Sequence, residues 1–144
     1  MLFFLLNEQL FGQQTHVITL EVNTSRLDKK DVNASCSFGQ APGISNEDYT
    51  IQVNKGDIII WRGVSTNAPS TDVINIDAIN HQGGVNVFGV NRLAGNNQDH
   101  ETVSGVVRQG IPGDVDKYTL SFKVLINGKK FNGTFHIDPK IQVN

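Results

Sequence analysis

Between Tyr118 and Ile137 the chain spells out a β-hairpin whose two strands agree about which face is wet, and this constrains the fold more than any other feature. The turn is Asn127-Gly128. A two-residue type I′ connection needs positive φ at both central positions, and its twist matches that of the strands it joins. Counting outward from the turn pairs Ile126 with Lys129, Val124 with Phe131, Phe122 with Gly133, Leu120 with Phe135 and Tyr118 with Ile137. Nearly all of these residues are apolar. The alternate set, Lys123 with Asn132, Ser121 with Thr134 and Thr119 with His136, is polar and lies on the opposite face. A slip of one residue would turn the apolar set toward water, so the pairing is specified locally. The expectation is an all-β, antiparallel protein.

A chain of 144 residues is long enough to bury one good core and too short for two comfortable ones, so a single domain is expected over 13–144. Net charge is −2, and Lys29-Lys30 and Lys129-Lys130 are isolated pairs. No basic face for nucleic acid is implied. The single cysteine, Cys36, excludes an intrachain disulfide and any multi-cysteine zinc site within one chain, and leaves its own role open. Stability has to come from packing.

Residues 1–12 read differently from the rest. Leu2-Phe3-Phe4-Leu5-Leu6 is an apolar run, followed by a polar break and by Leu10-Phe11-Gly12-Gln13. It has the look of the tail of a secretory signal, with Gly12 before Gln13 as a tolerable cleavage position. On that reading the protein is exported to the periplasm or beyond the cell. Otherwise the segment is an N-terminal strand or tail and the protein is cytoplasmic. No stretch reaches the roughly 20 apolar residues of a membrane span.

Along the rest of the chain, Ile18, Leu20 and Val22 alternate with Val17, Thr19 and Glu21 as in a half-buried strand. Asn23 to Gly43 loses this period and reads as a long connection carrying Cys36 and Phe38. Tyr49, Ile51 and Val53 form the inward set of a second strand, which breaks at Asn54-Lys55-Gly56-Asp57 and resumes as Ile58-Ile59-Ile60-Trp61, apolar on both faces. A strand of that kind belongs in the middle of a sheet or where two sheets cross. Val73, Ile76 and Ile79 recur at every third position, but Asn75, Asp77 and Asn80 are weak helix formers, so the segment is assigned to a strand. Val85 to Phe88 is expected as an edge strand, and Glu101 to Arg108, with Val103, Val106 and Val107, as another. Gly110-Ile111-Pro112-Gly113 marks a turn, and Asp138-Pro139 interrupts pairing before the last strand, Lys140 to Val143. About eight short strands with turn signals at this spacing predict a two-sheet antiparallel β-sandwich, of jelly-roll, immunoglobulin or cupredoxin-like topology.

Residues that could carry chemistry are few. His81, the run Asp99-His100-Glu101, and Asp114 with Asp116 are the only sets suited to a metal. Asp114-Val115-Asp116 has alternate carboxylates but lacks the glycine and distal glutamate of a calcium loop, and adjacent residues of Asp99-His100-Glu101 would point to opposite faces of a strand. Solvated turns are the preferred reading, and neither metal nor cofactor is expected. The Gly56-Asp57 turn leading to Trp61 also has a cupredoxin cast, yet Cys36 is early, the only Met is Met1 and no Cys lies near His136, so blue-copper ligands do not line up. Cys36 has no adjacent base and no Ser sits in a strand-turn-helix elbow, so no enzyme is expected. Trp61, Arg62 and Ser65 together offer a flat platform, a forked donor and a hydroxyl, a set suited to a glycan or small carboxylate. The competing reading places Trp61 in the core and lets Arg62-Gly63 lead into a turn.

Read as one unit, Val53-Asn54-Lys55-Gly56-Asp57-Ile58-Ile59-Ile60-Trp61-Arg62-Gly63-Val64-Ser65 followed by Asp72-Val73-Ile74-Asn75-Ile76 resembles the PixA/AidA inclusion-body protein family. The ending Phe135-His136-Ile137-Asp138-Pro139-Lys140-Ile141-Gln142-Val143 is similar to that family's C-terminal pattern, and Val22-Asn23-Thr24 before Leu27 fits its opening strand more loosely. About half the chain is covered well. The resemblance implies a bacterial β-sandwich without catalysis, in which Gly56, Asp57, Trp61, Gly63, Asp138 and Pro139 are structural, and which acts by self-association as a homo-oligomer or by binding a partner. The chain departs in having a shorter stretch before Tyr49 and an export-like start. If export holds, storage in cytoplasmic inclusions is not its role, and a secreted ligand-binding module becomes the alternative.

Overall fold

A computed structural model describes residues 12–144, the side chain of Asn132 excepted. The apolar run Leu2–Leu6 and the rest of 1–11 lie outside the described residues. The strands are β1 (Thr15–Val22), β2 (Cys36–Ser37), β3 (Thr50–Val53), β4 (Ile58–Ser65), β5 (Asp72–Gly84), β6 (Arg92–Ala94), β7 (Val103–Val106), β8 (Val115–Ile126), β9 (Lys129–Ile137) and β10 (Lys140–Val143). One sheet runs β2-β1-β4-β7. The other runs β3-β10-β8-β5-β6, with β9 also against β8. Their inner faces close over a core that includes Leu20, Ile59, Trp61, Ile76, Leu120, Phe122 and Ile141, each fully shielded from solvent.

The two-sheet sandwich is the fold expected. Its sheets are mixed, however, because β1 runs parallel to β4 and β10 runs parallel to β3. Parallel neighbours need a crossover rather than a hairpin, and here the chain between β1 and β4 provides one by visiting β3 in the opposite sheet. The doubly apolar strand β4 is central in its sheet, between β1 and β7. Val85–Phe88 is not a strand. It forms a turn after Gly84, with Val87 and Phe88 buried, because the Val87 N–H donates to the Asp116 carboxylate (3.1 Å) rather than to a ladder.

The hairpin turn forms as expected, with Asn127 and Gly128 at φ 50° and 78°. Near it the register also holds: Ile126 faces Lys129, Leu125 faces Lys130 and Val124 faces Phe131. Farther out the register is shifted by two residues, so Phe122 faces Phe135, Ser121 faces His136 and Leu120 faces Ile137. A two-residue shift keeps every side chain on its face, and Gly133, at φ 88°, absorbs the irregularity. The exchange replaces a glycine opposite Phe122 with the Phe135 ring, stacked at 5.4 Å. A smaller irregularity explains the Ile76–Ile79 spacing in β5, while Val73 turns to the other face. One extra residue at Asp77 re-phases the strand, so Ile76 and Ile79 both face the core.

β9 and β10 lie end to end along one edge of β8, and Asp138-Pro139 is the gap between them. Pro139 has no N–H to donate, but its carbonyl still accepts from the Tyr118 N–H (3.2 Å), and Asp138 Oδ1 accepts from the Thr119 hydroxyl (2.8 Å). Where β4 crosses β5, Gly63 permits the close approach: a Cβ there would lie 2.4 Å from Ile74 Cγ2. Gly63→Ala is therefore expected to lower stability by about 1–3 kcal/mol through overpacking, measured as a reduced urea midpoint at unchanged slope. An unchanged midpoint would show that the two sheets can part at no cost.

Candidate functional site

The Gly56-Asp57 turn is a clasp. Gly56 takes φ 97°, and the buried Asp57 carboxylate accepts from the main-chain N–H of Asn54 (2.8 Å), the main-chain N–H of Gln14 (3.0 Å) and His16 Nε2 (2.8 Å). Burial pushes this carboxyl up, but the bonds from Asn54, His16 and Gln14 outweigh it and hold it below the usual carboxylate range. The clasp joins the entry to β1 with the entry to β4, and its partners are all main chain or one histidine. It is built to hold, with no open position beside the carboxylate.

Trp61, at 0% exposure, lies in the core. Its Nε1 donates to the Tyr118 hydroxyl (3.1 Å), and its ring meets Phe88 and Tyr118 edge-on, each at 5.6 Å. Arg62, the next residue in the same strand, points to the exposed side of the sheet. Ser65 is buried in a third place, a polar knot in which Thr24 Oγ1 donates to Asp72 Oδ2 (2.5 Å) and Asn67 Oδ1 accepts from the Thr24 N–H (2.8 Å). The structure thus keeps Trp61, Arg62 and Ser65 apart. Asp72 also accepts from the Asn127 N–H (3.2 Å). The Thr24 bond, with those of Asn127 and Thr71, outweighs burial and lowers its carboxyl. The knot anchors the hairpin turn to the start of β5.

A second histidine–aspartate pair was not visible as a pair in the sequence. His81 and Asp116 come from β5 and β8, and Nδ1 meets Oδ1 at 2.8 Å with the carboxylate almost fully shielded. Burial raises Asp116, against the bonds from His81 and from the Val87 N–H. Its Oδ2 holds the turn after β5 through the Val87 N–H, while Oδ1 faces His81. Among the described residues, the pair's hydrogen bonds run only between His81 and Asp116 and from the Val87 N–H to Asp116. Asp114 instead accepts from the Ile111 N–H within its turn (2.9 Å), and Asp99 and His100 are exposed. Glu101 caps the Asn97 N–H (2.6 Å). No group of three His, Cys, Asp or Glu residues placed to hold a metal occurs among the described residues.

Cys36 is buried, and burial pushes its thiol up to about 11 against the opposing Ser35 contact, which makes it a poor nucleophile. Beside it, the loop from Asp31 to Glu47 shapes an open depression of about 550 Å³. Its amides bond one another: Gln40 Nε2 donates to Asn46 Oδ1 (2.8 Å), and Asn46 Nδ2 donates to the Cys36 carbonyl (2.9 Å). No helix of the described residues is long and apolar enough to cross a membrane.

No protein-family description matches the chain, and no curated protein matches it in sequence. Among solved structures, the chain is similar to an inclusion body protein, PixA, from Burkholderia cenocepacia J2315. The two share 16% identity over 92% of this chain and 96% of that one, with a TM-score of 0.69. At that identity the likeness is one of fold, and it is the fold that the resemblance in the Val53–Ile76 and Phe135–Val143 segments implies. The N-terminal domain of phage TP901-1 ORF48 overlaps far more loosely, with a TM-score of 0.39 at 13% identity.

Proposed function

We propose that this chain is a non-enzymatic β-sandwich that works by associating with itself or with a partner protein. One observation carries the reading: the buried carboxylates Asp57, Asp72 and Asp116 each accept hydrogen bonds from main-chain N–H groups and neighbouring side chains that tie the fold together. A shielded carboxylate engaged in this way holds loops and strands in place. The solved protein of like fold is called an inclusion body protein, which supports assembly as the activity here.

The glycan reading keeps the loop depression near Asn33, Gln40 and Asn46 but loses its aromatic platform, since Trp61 is closed off. Self-association is the better supported of the two. Sedimentation velocity across a concentration series should show a weight-average mass that rises with concentration. A mass that stays at the monomer value to the highest attainable concentration would overturn the proposal.

A further inference from the structure

We propose that the open edge of β1, from Thr15 to Thr19, receives a second copy of this chain, strand against strand, about a two-fold axis through Val17. This rests on the self-association proposed above and assigns a surface to it. β1 pairs with β4 along its whole length, but with β2 only at Glu21 and Val22. The carbonyls of Gln14 and Val22 accept from the N–H groups of Ile58 and Thr66 on the β4 side, each at 2.9 Å, while the Asn23 N–H donates to the Ser35 carbonyl on the other side (2.8 Å). Main-chain groups alternate sides along a strand, so Thr15, Val17 and Thr19 turn their N–H and C=O groups away from β4. Among the described residues, no strand lies beyond β2's two residues to take them.

An unpaired row of donors and acceptors is a template for another strand unless something blunts it. The other edges are blunted. β3 and β7 have four residues and β6 has three, and β9 carries Lys129, Lys130 and the irregularity at Gly133. Thr15–Thr19 has no lysine, proline or bulge, and its one titratable side chain, His16, is tied to Asp57. Val17 is 55% exposed and lies beside half-buried Ile60, with Ile58 and Val106 continuing the apolar strip on the same face.

The occupant follows from self-complementarity. An antiparallel second copy centred on Val17 pairs Val17 with Val17 and Thr15 with Thr19, which satisfies about six main-chain groups on each chain and sets only β-branched residues opposite one another on the outer face. The two sheets then join through β1, on the side where β2 covers only Glu21 and Val22. The short contact makes a weak, concentration-dependent dimer.

The test uses the full chain and charge at the axis. Val17→Lys and Val17→Asp each place like charges directly opposite in the pair, and each should raise the dimer dissociation constant at least tenfold in sedimentation velocity. An equimolar mixture of the two should associate again. Circular dichroism and urea midpoints of the variants should match the wild type, because Val17 is a surface residue. A wild type that stays monomeric overturns the self-association reading itself. A wild type that associates, with both variants associating equally well, overturns this edge while leaving self-association standing. Variants that dissociate but do not recover on mixing overturn the two-fold pairing.

Discussion

Trp61→Ala should lower the stability of the fold by about 3–5 kcal/mol, the range for emptying a large aromatic site in a core. That is a large part of the roughly 5–15 kcal/mol that holds a domain of this size together. The side chain is fully shielded and packs against Phe88 and Tyr118, and its Nε1 is the hydrogen-bond partner of the Tyr118 hydroxyl. Truncation opens a cavity and also strands a buried hydroxyl whose ionisation burial already suppresses strongly. Trp61→Phe separates the two effects, since it keeps most of the ring while leaving the hydroxyl unpaired; a loss of about 1–3 kcal/mol is expected. Because Trp61 is the only tryptophan in the chain, unfolding should be followed by far-ultraviolet circular dichroism rather than fluorescence. A loss below about 1 kcal/mol for the alanine variant would mean that the side chain is not the centre of the core.

Asp57→Ala should cost a similar amount, about 3–5 kcal/mol, for an electrostatic reason. It leaves the N–H groups of Asn54 and Gln14 without an acceptor in a buried place, at about 1–3 kcal/mol for each unsatisfied group, and it frees His16. The pH dependence identifies the cause. Asp57 has a folded pKa below its unfolded value, so its contribution is present above about pH 4 and is lost as pH falls through the lowered value. Asp72 acts with the same sign, whereas raised Asp116 acts oppositely, stability falling as pH rises from the ordinary carboxylate value through its own. Both remain in the variant. The difference between wild type and Asp57→Ala should therefore shrink below about pH 4, read from urea midpoints taken between about pH 2 and pH 6. A difference that stayed constant with pH would assign the loss to shape rather than to the charged carboxylate.

Much of the local structure was legible because it depends on neighbours in sequence. Ile18, Leu20 and Val22 are inward, the Asn127-Gly128 turn has its two positive φ angles, and Asp138-Pro139 ends one strand and starts the next. The site residues were less so. The string from Gly56 to Ser65 could be read as motif, but alternation along β4 sends Trp61 inward and Arg62 outward, while Ser65 belongs to a knot with Thr24 and Asp72. The His81–Asp116 pair joins residues 35 positions apart, and nothing in the spacing of either one announces the other.

Alternating polarity and turn chemistry settled by themselves that this chain makes strands, which face of β1 and of the terminal hairpin is dry, and where that hairpin reverses, since these are decided within a few residues. Only the assembled sheets decided that β1 and β4 run parallel, that Phe122 stacks on Phe135 instead of meeting Gly133, and that no described strand covers the edge from Thr15 to Thr19. Period-two patterning is the same for either strand direction and survives a two-residue shift, so direction, outer register and edge exposure are fixed by which surfaces meet across the sandwich.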